Sequence, residues 1–511
     1  MKSFGKATKI GMLWAWLGAL VIEIMWLPTA MITARLLTPE QFGIAAAASF
    51  FLQLAARLTQ FGFNAALVRM NPLKDEHADT AFVLSIGLGV SAWLTLAVSA
   101  PFIAAFFHSP ATGQILPIAA LSFLAVPLGT VPNALMMRDL RYRELSYCLW
   151  INTLTSSVTT IVLALLGFGF WSLVFGQLAA AMVQTVAKMW YARWTPRFRF
   201  DRDAARDMIS FGAGIYTLRL LEYGALNLDS MVVGRTMGMA TLGLYDKAFN
   251  LMSRVLDRMN QAGPTISFRV FAVIQEEHER FRRAYRKVIL SSTLICYPAM
   301  TVLAVAAPQL FDVLFGHQWI AAAWPFQILC LAGGLKVLNS YAAAVVEARG
   351  RVWSEVWRQA LYAALIVVGV TLSSRWGITG AATAVLLSTV TVTVLMQRLL
   401  LTATPLTLSD VMVPQIPSIV CAAAAGGAAW VARALVVQAT PNAWISLPVV
   451  VGCGSIVFLA FVLLAPSPDV RNLVNQVIED LWPVVRNALR FNRPQVGTSQ
   501  VVSDETSKVR P

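Results

Sequence analysis

Apolar runs recur along the whole chain, and many of them reach the length of about 20 residues that a membrane-spanning helix needs. Hydrophobic residues make up 57% of the sequence and charged residues 13%. A soluble domain carries about 25% charged residues, so this composition excludes an ordinary soluble fold. The sequence therefore predicts an all-α polytopic membrane protein.

We predict fourteen transmembrane helices from the apolar runs. The eighth carries several charged residues, and it is retained because the loop without it would be unusually long. The predicted spans are 11–34, 43–66, 81–107, 113–135, 146–166, 168–191, 209–234, 241–272, 288–308, 319–346, 357–375, 378–402, 412–436 and 443–466.

The loop charges orient these spans. If the N-terminus is cytoplasmic, the inside segments hold about thirty Lys and Arg residues, and the outside segments hold only Arg35, Arg235, Arg375 and Arg433. Basic residues are retained on the cytoplasmic side of membrane proteins, so both termini are predicted to be cytoplasmic. The formal net charge of +14 then reflects topology and attraction to anionic lipids, and no nucleic-acid partner is predicted.

A weak internal repeat has an offset of about 200 residues. Gly43 falls on Gly243 and Arg35 falls on Arg235. Six spans per unit keep both copies in one orientation, which predicts two lobes related by an axis along the membrane normal. The predicted division is an N-terminal lobe 1–192, a basic cytoplasmic linker 193–208, a C-terminal lobe 209–402, two further spans in 403–466, an amphipathic cytoplasmic helix 467–493 and a disordered tail 494–511.

Ionisable residues at membrane depth are costly and mark either a substrate path or a paired structural contact. Here they concentrate in spans 1, 2, 7 and 8, which are equivalent helices of the two predicted lobes. This placement predicts a central cavity between the lobes. The residues are Glu23 in span 1, Arg57 in span 2, Arg219, Glu222 and Asp229 in span 7, and Asp246, Lys247, Arg254, Asp257 and Arg258 in span 8; Lys336 lies in span 10.

Three cations of span 8 share one helix face. Lys247, Arg254 and Arg258 lie within roughly 40° of one another at 100° per residue. Guanidinium groups bind phosphate oxygens through two parallel hydrogen bonds, so this stripe suits an anionic ligand. The candidate substrate-binding residues are Arg219, Arg254, Arg258, Lys247 and Arg57, and the candidate cavity or coupling residues are Glu23, Glu222, Asp229 and Asp257.

A structural alternative stays open for the same residues. Arg219 and Glu222, like Arg254 and Asp257, are spaced i,i+3 on a helix and could neutralise each other without a ligand.

The sequence predicts no enzyme, no metal site and no cofactor. It contains no GxxxxGK[ST], HExxH or GxSxG motif, and its five cysteines stand singly. The predicted outer loops hold almost no Asp or Glu, whereas a glycan polymerase needs paired carboxylates near the outer face.

Several motifs, taken in order over residues 30–400, resemble those of the Wzx-type oligosaccharide flippases. This group belongs to the polysaccharide transporter family of the multidrug/oligosaccharidyl-lipid/polysaccharide exporter superfamily. The motifs are residues 36–43 (LLTPEQFG), Phe63-Asn-Ala-Ala-Leu-Val-Arg69, Val131-Pro-Asn-Ala-Leu135, Arg138-Asp-Leu-Arg-Tyr-Arg143, residues 163–171 (LALLGFGFW), Leu228-Asp-Ser-Met-Val-Val-Gly-Arg235, Leu242-Gly-Leu-Tyr245 and Phe281-Arg-Arg-Ala-Tyr285.

The resemblance implies a two-lobed transporter in the bacterial inner membrane. Its substrate would be a polyprenyl-pyrophosphate-linked oligosaccharide repeat unit for exopolysaccharide, capsule or lipopolysaccharide. Membrane lipids and the polysaccharide polymerase and export machinery are the implied partners, and Asp229 and Arg235 are the implied functional positions. The alternatives are a multidrug or cation exporter of the same superfamily and, less favoured, a membrane-embedded glycan polymerase.

Overall fold

The computed structural model describes residues 2–59, 63–70, 73–206, 208, 227–260, 263–350, 352–440, 442–464, 467–468, 470–473 and 475. Helices cover almost all of these residues, and no strand occurs among them. Most of the predicted amphipathic helix 467–493 and the whole tail 494–511 lie outside the described residues.

Most of the described helices are joined by short connections. In chain order they are α1 (Lys2–Leu36), α2 (Pro39–Thr59), α3 (Phe63–Arg69), α4 (Asp75–Phe107), α5 (Pro110–Ala119), α6 (Ser122–Ala125), α7 (Thr130–Arg138), α8 (Tyr142–Leu165), α9 (Trp171–Ala192), α10 (227–237), α11 (Met239–Asn260), α12 (Gly263–Val273), α13 (His278–Leu314), α14 (Ala323–Ala348), α15 (Val352–Ser373), α16 (Gly377–Ala403), α17 (Leu408–Met412), α18 (Ile416–Ala439) and α19 (Ala443–Leu464). Short 3-10 helices occupy Val126–Gly129, His317–Ala322, Ser374–Trp376 and Val413–Gln415.

Ten segments of the described chain are long and apolar enough to cross a membrane. They contain eleven of the predicted spans, because spans 11 and 12 merge in the segment Trp353–Ala403. Span 6 is the helix α9, and span 8 is divided into α11 and α12. Of span 7 only residues 227–234 are described, as part of α10. The all-α polytopic class is confirmed, and the count of fourteen stays a prediction.

The starts of α2 and α11 have clear local causes. A capping box begins α2, because the Gln41 amide N–H donates to Thr38 Oγ1 while Gln41 Oε1 accepts from the Thr38 N–H. Pro39 occupies the first helical position, where its missing N–H costs nothing. Gly238 separates α10 from α11 with a φ of 85°, a conformation that residues with a Cβ rarely adopt.

The described helices form two parts, α1–α9 and α10–α19, and most of them pack mainly on neighbours from their own part. In the first part, α8 packs against α1 and α9, and α4 packs against α5. In the second part, α14 contacts α11, α12, α13 and α16, and α13 also carries α18 and α19. The main contact between the two parts joins α2 to α11. These two helices therefore position whatever lies between the parts.

Candidate substrate cavity

A cavity of about 860 Å³ lies beside the contact between α2 and α11. Side chains of α1, α2, α9, α10 and α11 line it, together with Phe315 after the end of α13. All of the described acidic and basic residues of α11 face it: Asp246, Lys247, Arg254, Asp257 and Arg258. The cation stripe predicted on span 8 therefore faces a cavity.

The carboxylate of Glu23 on α1 joins two of these cations. Arg254 Nε donates to Glu23 Oε2 at 2.8 Å, and Arg258 Nε donates to Glu23 Oε1 at 2.7 Å. Each carboxylate oxygen thus accepts a hydrogen bond from one guanidinium group. The Arg254 guanidinium also lies over the Trp26 ring, 3.7 Å from its centroid. The sequence left open a pair between Arg254 and Asp257, but the structure pairs Arg254 with Glu23 instead.

Lys247 has a different environment from the two arginines. Its ammonium lies 3.7 Å from the centroid of Phe42, 5.0 Å from that of Phe315 and 5.4 Å from that of Trp319. Three rings at these distances form an aromatic cage for a cation. No salt bridge links Lys247 to a carboxylate in the described part of the chain.

Asp229 and Arg57 do not line this cavity. Asp229 is buried, accepts a hydrogen bond from the Tyr245 hydroxyl at 2.6 Å and accepts another from the Ser230 N–H at 2.8 Å. Arg57 is exposed in the last turn of α2. Arg219 and Glu222 lie outside the described residues, so the structure brings together only the predicted residues of α1 and α11.

The aromatic lining of the cavity was missing from the predicted site. Trp26 lies three residues after Glu23, on the same helix face, so that spacing could have identified it. Phe42 follows the capping box of α2, but nothing in its own sequence context points to a cation. Phe315 and Trp319 come from the connection between α13 and α14, and only the fold brings them to Lys247.

The cavity is bounded at one end by a crossing of α2 and α11. A Cβ added to Gly43 would lie 1.8 Å from the Met239 carbonyl oxygen, and one added to Gly243 would lie 1.9 Å from the Pro39 carbonyl oxygen. The two backbones are therefore in direct contact. We call the end of the bundle at this crossing, where α1 ends and α2 and α11 begin, the closed end.

Contacts at the closed end occur in pairs that follow the 200-residue repeat. Pro39 and Gly43 contact Gly243 and Met239 reciprocally. Arg35 donates to the Val313 carbonyl at 2.8 Å, and Arg235 donates to the Phe106 carbonyl at 2.6 Å. Both carbonyls lie in the last turns of long helices, α13 and α4. The residues matched in the sequence repeat thus make equivalent contacts in space.

A cavity with ionisable lining, formed between the helices of an all-helical membrane bundle, is the arrangement found in membrane transporters. The sequence profile described as "Polysaccharide biosynthesis protein" matches residues 32–324, which is more than half of the chain. The chain belongs to this family. The resemblance predicted from the motifs is thereby confirmed.

Curated relatives agree with this assignment. The lipopolysaccharide biosynthesis protein WzxC of Escherichia coli (strain K12) is 23% identical over 74% of this chain and 78% of its own length. The teichuronic acid biosynthesis protein TuaB of Bacillus subtilis (strain 168) is 24% identical over 69% of this chain and 73% of its own. The succinoglycan biosynthesis transport protein ExoT of Rhizobium meliloti (strain 1021) is 28% identical over 60% and 62%.

Two solved structures share the fold. An inward closed conformation of the lipid II flippase MurJ gives a TM-score of 0.71 at 12% identity, covering 88% of this chain and 98% of that one. An inward-facing conformation of a multidrug resistance MATE family transporter gives 0.57 at 15% identity, covering 75% and 95%. The similarity to a flippase and to a drug transporter establishes the architecture, and the function has to be argued from the site.

Proposed function

We propose that this protein is a flippase for a polyprenyl-pyrophosphate-linked oligosaccharide repeat unit. It would act in the bacterial inner membrane, in the assembly of exopolysaccharide, capsule or lipopolysaccharide. The observation that carries the proposal is the row of Lys247, Arg254 and Arg258 on the cavity face of α11. The family assignment and the polysaccharide-assembly names of the relatives support it.

The chemistry of the cavity suits a diphosphate. A diphosphate that leaves water loses strong hydration, and charge-assisted hydrogen bonds must replace that hydration. Arg254 and Arg258 supply planar guanidinium groups. A guanidinium group stays charged inside the membrane and donates two parallel hydrogen bonds to phosphate oxygens. In the present state the Glu23 carboxylate occupies one edge of each guanidinium. An arriving diphosphate would therefore exchange with a carboxylate, so that the arginines never lack an anion.

The architecture we propose has fourteen spans, two six-helix lobes and cytoplasmic termini. The paired contacts at the closed end support a twofold relation between the lobes, because residues about 200 positions apart make equivalent contacts. With cytoplasmic termini, the closed end faces the outside. The remaining components of polysaccharide synthesis, a polymerase and the export machinery, are proposed partners on that side.

The topology can be tested directly. Reporter fusions after residues 110, 240 and 317 should be external, and fusions after 75, 200 and 280 should be internal. Two or more sites with the opposite result would refute this orientation.

A cation exporter is the second candidate. The cavity lining contains Asp246 and Asp257 besides Glu23, so its described ionisable residues are three acids and three bases. Glu23 is occupied by two arginines, whereas Asp246 and Asp257 form no salt bridge in the described part of the chain. These two acids are the feature that favours cation transport, and a transport assay separates the two functions.

The test replaces the cavity arginines in a bacterium from which the chromosomal gene has been deleted. Arg254→Ala and Arg258→Ala should abolish most polymer export and leave lipid-linked intermediates in the membrane. Arg254→Lys keeps the charge but loses the planar group, so export should be partly retained. Arg433→Ala is the matched control, because Arg433 lies in α18 and donates only to the Val305 carbonyl among its described contacts.

Protein levels must be measured beside polymer yield. Removing one partner of the half-buried Glu23 ion pairs lowers the stability of the protein, and lower stability reduces its accumulation. If both alanine variants accumulate normally and export polymer at the parental rate, the arginines are structural. If the variants instead lose resistance to organic cations while export persists, the protein is a cation exporter.

A further inference from the structure

Lys247 lies where the cavity meets the closed end. Its side chain borders two environments there, an aromatic cage and the cavity. Its aromatic cage is built from both parts of the chain. Phe42 precedes the crossing residue Gly43 on α2, whereas Phe315 and Trp319 belong to the α13–α14 connection. Lys247 itself follows the other crossing residue, Gly243, by one turn of α11. The ammonium thus holds α11 to α2 beside the point where their backbones touch.

The cage is fixed to the surrounding helices. The indole N–H of Trp319 donates to the Ala34 carbonyl at 2.7 Å, and the side chain of Gln318 donates to the Ala34 and Leu37 carbonyls. The rings of Phe42 and Trp319 meet edge to face at 5.2 Å. Separating α2 from α11 would therefore take the Phe42 ring away from the ammonium and open one side of the cage.

The second environment is the cavity. Lys247 lines it on the same face of α11 as Arg254 and Arg258, and its Cα is about 10 Å along the helix from that of Arg254. The combined length of a lysine side chain and a diphosphate is enough to cover that distance, so one diphosphate can contact both residues. The Lys247 ammonium lies against three aromatic rings and gains from exchanging them for phosphate oxygens, because a charge-assisted hydrogen bond is stronger than a cation–π contact.

We propose that Lys247 and its cage form a latch that keeps the closed end shut, and that the diphosphate of the substrate releases the latch by binding the ammonium. The latch couples arrival of the substrate headgroup at Arg254 and Arg258 to separation of α2 from α11. The nature of the releasing anion rests on the proposed function, whereas the latch itself does not.

The test measures access to the cavity from outside. The five native cysteines are replaced, and Ser49, which lines the cavity on α2, becomes the reporter Ser49→Cys. Right-side-out membrane vesicles are treated with a membrane-impermeant maleimide, either empty or loaded with pyrophosphate at matched ionic strength. The parent reporter should react slowly in empty vesicles and several-fold faster in pyrophosphate-loaded ones.

Four variants of the full-length reporter protein separate the latch from general damage. Lys247→Gln and Phe42→Leu should each raise labelling of empty vesicles about fivefold or more, and Lys247→Gln should lose the response to pyrophosphate. Phe42→Tyr keeps the ring and should behave like the parent. Phe51→Leu removes a ring from the same helix outside the cavity lining and the cage, so it should leave labelling unchanged.

Unchanged labelling of empty vesicles in both Lys247→Gln and Phe42→Leu overturns the latch. Raised labelling in these variants with no response of the parent to pyrophosphate overturns release by the diphosphate. Neither result depends on polymer export by the Arg254 and Arg258 variants, so failure of the latch and failure of the flippase proposal are distinguishable. Melting temperatures of the purified variants identify any that are misfolded.

Discussion

Replacing Gly43 by alanine should disfavour closure of the closed end. The added Cβ would lie 1.8 Å from the Met239 carbonyl oxygen, whereas carbon and oxygen atoms in contact stand about 3.3 Å apart. The obstacle is backbone, which has no rotamer to change. α2 and α11 would have to move apart by about 1.5 Å at their crossing. Gly243→Ala should act in the same way, because its Cβ would lie 1.9 Å from the Pro39 carbonyl oxygen.

The expected magnitude follows from the cost of overpacking. Inserting a methyl group into a tightly packed site costs about 1–3 kcal/mol, and the cost here falls on the closed conformation. A shift of that size changes the ratio of closed to open molecules by about 5- to 150-fold. In the Ser49→Cys reporter protein, external labelling should rise by a factor in this range, and polymer export should fall because the cavity cannot be closed to the outside.

Two other glycines provide matched controls. Gly87 in α4 has no atom within 4 Å of an added Cβ, so Gly87→Ala should change neither labelling nor export. Gly176→Ala introduces a clash away from the closed end, 1.9 Å from the side-chain atom Thr160 Oγ1 between α9 and α8. It should lower the melting temperature without raising labelling. The argument is refuted if Gly43→Ala and Gly243→Ala label and export like the parent, or if Gly176→Ala raises labelling as much as they do.

Three further substitutions test other contacts. Asp410→Asn removes a fully buried carboxylate that pairs with Arg282 at 3.0 Å. The free energy of unfolding should fall by up to about 3–5 kcal/mol, measured as a lower melting temperature, while reporter labelling stays constant. An unchanged melting temperature would contradict this. Tyr245→Phe takes the hydroxyl donor from buried Asp229 and should cost about 1–3 kcal/mol in stability, again measured by thermal unfolding, with wild-type stability as the contrary outcome. Glu23→Gln frees the two cavity arginines from their counter-charge, so calorimetry on the purified protein should find tighter pyrophosphate binding; equal or weaker affinity would show that the carboxylate and the anion do not compete.

The cation stripe of α11 could be predicted from sequence because it depends only on helical geometry. Residues seven and eleven positions apart return to one face of any α-helix, whatever surrounds it. The partner of that stripe could not be predicted in the same way. Glu23 was identified as a buried acid, but its pairing with Arg254 requires α1 to lie across the cavity from α11. The sequence offered Asp257 as the local alternative, and the packing of distant helices decided between them.

The repeat shows how a weak sequence signal acquires a physical cause. Taken singly, the match of Gly43 to Gly243 could arise by chance, since glycine is common in membrane helices. In the fold each glycine lies against the backbone of the helix that carries the other one. A larger residue at either position would separate the same pair of helices, so the two positions are constrained together. The repeat could therefore be read from the chain, whereas its consequence, a backbone crossing beside a caged lysine, appears only when both copies are placed face to face.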